Sequence, residues 1–194
     1  MAILSGALKF GVTKVRARQG TTLKQVDAQV AASVTINQGD FVILSSNKVT
    51  QALTKSGSPS TAVLNGASPA LYGIALRGIV TNSSGVEAAT GYTTIPVALV
   101  NNDLEFMVGL HNASGSSARQ ADVNIGGGTL YALAIVTGTA VTQWQYMIST
   151  TTTNGVCAIT EWAAESAGSP PGTPGTESYS FVWARIVGTG QVVA

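Results

Sequence analysis

The stretch Val26-Asp27-Ala28-Gln29-Val30-Ala31-Ala32-Ser33-Val34-Thr35-Ile36 decides the fold class. Its even positions are apolar, and Asp27, Gln29, Ser33 and Thr35 fall between them. Successive side chains of an extended chain leave on opposite faces, so this alternation describes a strand with one buried face. Leu23, Val26 and Val30 also suit a short helix after Thr22, but the β-branched residues favour the strand.

The same pattern continues outward. Asn37-Gln38-Gly39-Asp40 reads as a turn, Phe41–Leu44 as a buried strand, Ser45-Ser46-Asn47-Lys48 as a second turn and Val49–Leu53 as a strand. Strands are expected at Leu71–Val80, Thr93–Val100, Leu104–Leu110, Asp122–Ile125, Leu130–Thr137, Val141–Ser149, Val156–Trp162, Tyr179–Val187 and Gln191–Val193. Residues 54–69 and 111–120 read as polar loops. The Pro/Gly-rich loop at 164–178 holds Pro170, Pro171 and Pro174 and cannot enter a central sheet. No segment carries a sustained 3.6-residue stripe with caps. The expectation is an all-β protein, a β-sandwich or barrel body of short antiparallel strands with an extended N-terminal arm. It divides into an arm at 1–24, a β unit at 25–110 and a second β unit at 111–194 packed on the first.

One internal echo stands out. Val34–Leu44 lines up with Val123–Leu133 at a constant separation of 89, and Val49-Thr50-Gln51 matches Val141-Thr142-Gln143 after a three-residue insertion. Strand-turn-strand segments resemble one another in any β protein, and that explanation is preferred here to a duplication.

Composition narrows the function. The 194 residues are 45% hydrophobic but only 10% charged, against about 25% in a typical soluble protein. A free monomer normally keeps a well-charged surface, so much of this surface is expected to be covered in an assembly. A net charge of +1 gives no global field for nucleic acid or an anionic membrane. Lys9, Lys14, Arg16, Arg18 and Lys24 put five of the ten basic residues, and no acidic one, into the arm. The arm reads equally as a solvated segment or as one that docks on an acidic partner surface. Lys9, Phe10, Val12, Lys14, Arg16 and Arg18 are its candidate partner-binding residues, since Phe10, Val12 and Lys14 alternate and suit addition to a sheet edge. The N-terminus lacks the pattern of a signal peptide, and the longest aliphatic-aromatic run, Leu130–Val136, is far short of a membrane span.

Catalytic chemistry is hard to assemble. His111 is the only histidine and Cys157 the only cysteine, so neither an internal disulfide nor a Cys-based metal cluster can form. Gly126-Gly127-Gly128 leads into a strand and lacks the Lys-Ser/Thr of a phosphate loop. Asp103 and Glu105 share a strand face; an acid/base pair is conceivable, and a solvated face is the simpler account. Trp144, Trp162 and Trp183 read as core or interface residues before a stacking platform. No catalytic residue, cofactor or metal site is expected, and the chain is read as a non-enzyme.

Ile36-Asn-Gln-Gly39-Asp40-Phe-Val-Ile-Leu, Val49-Thr-Gln-Ala-Leu, Tyr72-Gly73-Ile74-Ala75-Leu76 and Ile95-Pro96-Val97-Ala-Leu together resemble the capsid cement (head decoration) proteins of tailed bacteriophages. The resemblance covers mainly residues 34–110; residues 122–194 look like an additional β unit that small members of the family lack. It implies a structural virion protein on the outer capsid surface, made in the host bacterial cytoplasm. Its partners would be the major capsid protein and itself, as a homotrimer, with no nucleic acid and no membrane. The alternative is a receptor- or carbohydrate-binding module of a phage tail or fibre.

Overall fold

A computed structural model describes residues 12, 14–52, 60–63, 71–111, 123–126, 128–137, 145–150, 152–153, 155–163 and 181–187. No helix occurs among them. The all-β expectation holds.

Five strands build a first ring: β2 (Gln25–Gln29), β4 (Phe41–Ser45), β5 (Lys48–Gln51), β7 (Leu71–Ala75) and β9 (Thr94–Leu99). Their order is β2-β9-β7-β4-β5, antiparallel throughout. A single parallel bridge, Val30 to Val49, brings β5 back to β2, and the Ala31 amide donates to the Val49 carbonyl at 3.0 Å. A short ribbon of β3 (Thr35–Ile36) and β8 (Ile79–Val80) flanks the ring.

A second ring is built from β10 (Leu104–His111), β11 (Leu130–Thr137), β12 (Gln145–Ser149), β13 (Cys157–Trp162) and β14 (Phe181–Ile186). Starting from β10, antiparallel pairings run through β14, β13 and β11 to β12. β12 then returns to β10 in parallel through Leu110–Ile148 and His111–Ser149. Two further strands attach to this ring: β1 (Lys14–Ala17) lies antiparallel on β10, and β6 (Ser60–Val63) on β11. The second ring therefore begins at Leu104, and the chain passes between the rings at residues 101–103.

The two rings are one arrangement repeated. Val26–Val97 in the first answers Phe106–Ala184 in the second, and Ala75–Val97 answers Ile159–Ala184. Phe41–Ile74 answers Leu130–Ala158, Leu44–Val49 answers Leu133–Ile148, and the closing contact Val30–Val49 answers Leu110–Ile148. Phe41 and Leu130 stand 89 residues apart, the separation of the first part of the sequence echo, whereas Val49 answers Ile148 and not the Val141 that the second part of the echo aligned with it. The agreement runs register for register around a closed ring, so the likeness is one of structure and extends beyond a single strand-turn-strand segment.

Inward-facing residues build each interior. Ala28, Val30, Val42, Val49, Ala75, Ile95 and Val97 fill the first ring. Phe106, Val108, Leu110, Leu133, Ile148, Ile159 and Val182 belong to the core of the second. Phe41, Ile74 and Ala98, on the outer face of the first ring, join that second core. Phe41 meets Phe106 edge to face, ring centroids 5.0 Å apart at 81°, a geometry worth about 0.5–1.5 kcal/mol beyond the buried area.

Several local expectations change. The Val26–Ile36 strand breaks after Val30, where Ser33 takes φ +55°, although the alternation of burial persists at Ala28, Val30 and Ile36. The expected Leu71–Val80 strand bends between Ala75 and Ile79. Residues 60–63, read as loop, form β6, because Ser-Thr-Ala-Val reaches an open edge of β11. Residues 123–126 carry no strand. The expectations for 164–178 and 191–193 lie outside the described residues.

Candidate functional site

Two features of the fold position the basic arm. Gly39 takes φ +85° in the Asn37–Asp40 turn, and a Cβ there would stand 2.5 Å from the Val12 carbonyl oxygen. Both the backbone sign and the close approach therefore call for glycine. The Asp40 carboxylate locks this turn, accepting from the Asn37 amide at 2.8 Å and from Gln51 Nε2 at 3.2 Å. Val12 thus rests on the first ring, while two residues later the chain joins the second. Lys14 to Ala17 pair with Met107 to Leu104, and the Arg18 amide donates to the Asp103 carbonyl at 2.7 Å. The sheet edge to which this segment is added belongs to the chain's own β10. Lys9 and Phe10 lie outside the described residues.

Alternation sends Arg16 to the outer face, opposite Glu105. Its Nε donates to Glu105 Oε2 at 2.8 Å, its Nη2 stands 2.7 Å from the same oxygen, and Nη2 also lies 2.6 Å from Glu161 Oε1. The guanidinium carbon sits 3.9 Å from the centre of the Trp183 ring, a cation–π contact. Burial works against the charge of Arg16, but the hydrogen bonds and charges of Glu105 and Glu161 outweigh it and hold the guanidinium above its ordinary range. Glu105 is only 6% exposed, which corrects the solvated-face reading. A carboxylate so buried needs a fixed cation, and the strand laid across β10 supplies one. Asp103 remains partly exposed.

Beside this cluster lies a cleft of about 360 Å³, lined by Arg18, Glu105, Gly126, Gly128, Thr129, Ala158, Ile159, Thr160 and Arg185. Neither Arg18 nor Arg185 has an ion-pair partner among the described residues. A second charged group occupies the first ring. The Arg77 guanidinium lies 4.4 Å from the centre of the Tyr92 ring, with Nη2 3.5 Å from Glu87 Oε2, and Thr90 Oγ1 donates to that same carboxylate.

Reading the sequence missed Glu161 and Arg185. Arg185 was accessible to it: Val182, Ala184 and Ile186 face inward, which sends Trp183 and Arg185 outward. Glu161 lies at an irregularity, where the β13–β14 register shifts between Ile159 and Glu161, and alternation misplaces such residues. Trp162 packs partly buried on the main core, and Trp183 packs against Met107, Ala134, Ala163 and Phe181. Trp144 and the His111 side chain lie outside the described residues, although the His111 backbone ends β10. Burial pushes the Cys157 thiol well above its ordinary value, which disfavours the reactive thiolate. Among the described residues no group of three or more His, Cys, Asp or Glu is placed to hold a metal ion, and no helix is long and apolar enough to cross a membrane.

Comparison with known protein families, with curated proteins and with solved structures finds no match.

Proposed function

We propose that this chain is a structural virion protein that decorates a phage capsid and stabilises it by bridging major capsid protein subunits. The observation that carries this is the chain's handling of charge. Only 10% of its residues are charged, and Arg16, Glu105, Glu161, Arg77 and Glu87 are taken up in ion pairs with one another. What the surface offers instead includes large apolar side chains, with Leu44 43%, Tyr92 53% and Val80 60% exposed. Such a surface suits permanent contact with neighbouring subunits better than free solution. The segments that resemble cement proteins supply β4, β5, β7 and β9 together with the Gly39-Asp40 turn. The reading includes assembly as a homotrimer at the outer capsid surface, a binding role without catalysis, and synthesis in the host bacterial cytoplasm.

The test is co-sedimentation of the purified chain with capsids that lack it. Saturable binding, with a raised temperature of capsid disruption, is expected. A chain that stays in the supernatant with empty capsids and instead binds a soluble glycan belongs to a tail or fibre module.

A further inference from the structure

We propose that the cleft beside Arg16 is a docking site for an extended, carboxylate-bearing segment of a protein partner. Three observations lead there. The first is unmatched charge. Glu105 and Glu161 share the single guanidinium of Arg16, so with Arg18 and Arg185 the surroundings of the cleft hold three positive charges against two negative ones. Arg18 and Arg185 line the cleft without an ion-pair partner among the described residues, and guanidinium is the side chain best shaped to grip a carboxylate through two parallel bonds.

The second observation comes from the repeat. Phe41, Ile74 and Ala98 of the first ring correspond to Leu130, Ala158 and Arg185 of the second. On the first ring this face is covered by the second ring, within one continuous core. On the second ring two of the corresponding positions, Ala158 and Arg185, line the cleft, and all three remain partly exposed. The fold thus carries its docking face twice and uses it internally once. Where the covered copy has Ala98, the open copy has Arg185, which changes the suitable partner from apolar to acidic.

The third observation is size and lining. About 360 Å³ accommodates a few residues of extended chain rather than a second globular surface. Gly126 and Gly128 remove side chains from one wall, so that a backbone can approach closely.

The inference stands on the charge and position of the cleft and not on the capsid reading, so the two can fail separately. The experiment titrates the full chain with a hexaglutamate peptide and follows binding heat and total tryptophan fluorescence, with hexalysine and an oligogalacturonate run in parallel. Saturable binding of hexaglutamate that weakens with salt is expected, with little for hexalysine. Arg185→Gln should weaken it about tenfold and Arg18→Gln severalfold, because each removes charge-assisted bonds. Arg185→Lys, which keeps the charge and folds under the same constraints, should fall between, and Lys48→Gln on the first ring should change nothing. The proposal is overturned by absence of saturable binding, by binding indifferent to Arg185→Gln, or by an Arg185-dependent preference for the oligogalacturonate.

Discussion

Two rings with one topology and different contents make the molecule its own control. In the first ring Gly73 lies against Val97 on the neighbouring strand, and the positions that correspond to them in the second ring hold Cys157 and Ala184. A Cβ on Gly73 would stand 2.2 Å from Val97 Cγ1; in the second ring the Cβ is present and the Cγ is gone. At another pair of corresponding positions the first ring has Val26 and the second has Phe106. Strand order and register survive these exchanges because they are set by backbone pairing and by the alternation of faces. Volume is then balanced locally, a gain on one strand against a loss on its neighbour. The outer faces diverge more freely, since solvent or a partner imposes less than a closed interior does.

The comparison breaks most visibly where one ring enters the other. Phe41→Ala should cost about 4 kcal/mol in urea denaturation, from lost burial and an unfilled space beside Phe106. It should also tend to separate the single transition into two. A loss below about 1 kcal/mol would mean that the rings do not share a core.

Next come the exchanged volumes. Gly73→Cys should destabilise by about 2–3 kcal/mol through overpacking. Adding Val97→Ala, itself a destabilising change, should recover about 1 kcal/mol and give the first ring the second ring's pair. The recovery stays partial because the Ala98 carbonyl oxygen would also lie 2.5 Å from the new Cβ. Simple additivity of the two losses would refute the correspondence.

Arg16 has no counterpart among the described residues of the first ring. Its replacement by Ala should cost about 2 kcal/mol, because Glu105 is left buried without a cation. Glu161→Gln should cost less than about 0.5 kcal/mol, since that carboxylate is half exposed and screened. Equal losses would mean that the buried partner carries no special weight.

A further effect appears only in alkali. Burial raises the Cys157 thiol above its ordinary 9.0, so above that pH the unfolded chain releases a proton that the folded chain keeps. The stability this contributes is full below pH 9.0 and declines above it, by at most about 1.4 kcal/mol per pH unit. Cys157→Ala should flatten that decline, and iodoacetamide should modify the native thiol only as fast as the chain opens.

Much of this was readable in the residues themselves. Leu130–Thr137 announces β11 at both ends, because an unbroken apolar run between glycines has few alternatives. The echo at 34–44 and 123–133 held the repeat, but short patterned segments carry too little information to reveal a shared register. β6 was hidden because Ser60–Val63 sits in a Ser/Gly/Thr-rich stretch and becomes a strand only where β11 offers an edge. The Arg16 cluster was half legible. The basic arm was visible; its acid was not, since nothing local distinguishes Glu105 with an arginine laid across it from Glu105 in water.

The separation of 89 residues between Arg16 and Glu105 also sets an order of events. During synthesis from the N-terminus β1 emerges first, yet its mate β10 follows only after every strand of the first ring has been made. The first ring can close while β1 is still an unmated strand, and the last pairing in that part of the molecule joins one of its oldest segments to a much younger one. Contacts of such long range form slowly, and an unmated strand in a growing chain invites pairing with the wrong neighbour. Lys14 and Arg16 then have an earlier task than the one seen in the finished fold. Positive charge on a waiting strand discourages like strands from stacking on it, and only the arrival of Glu105 turns that repulsion into an attachment.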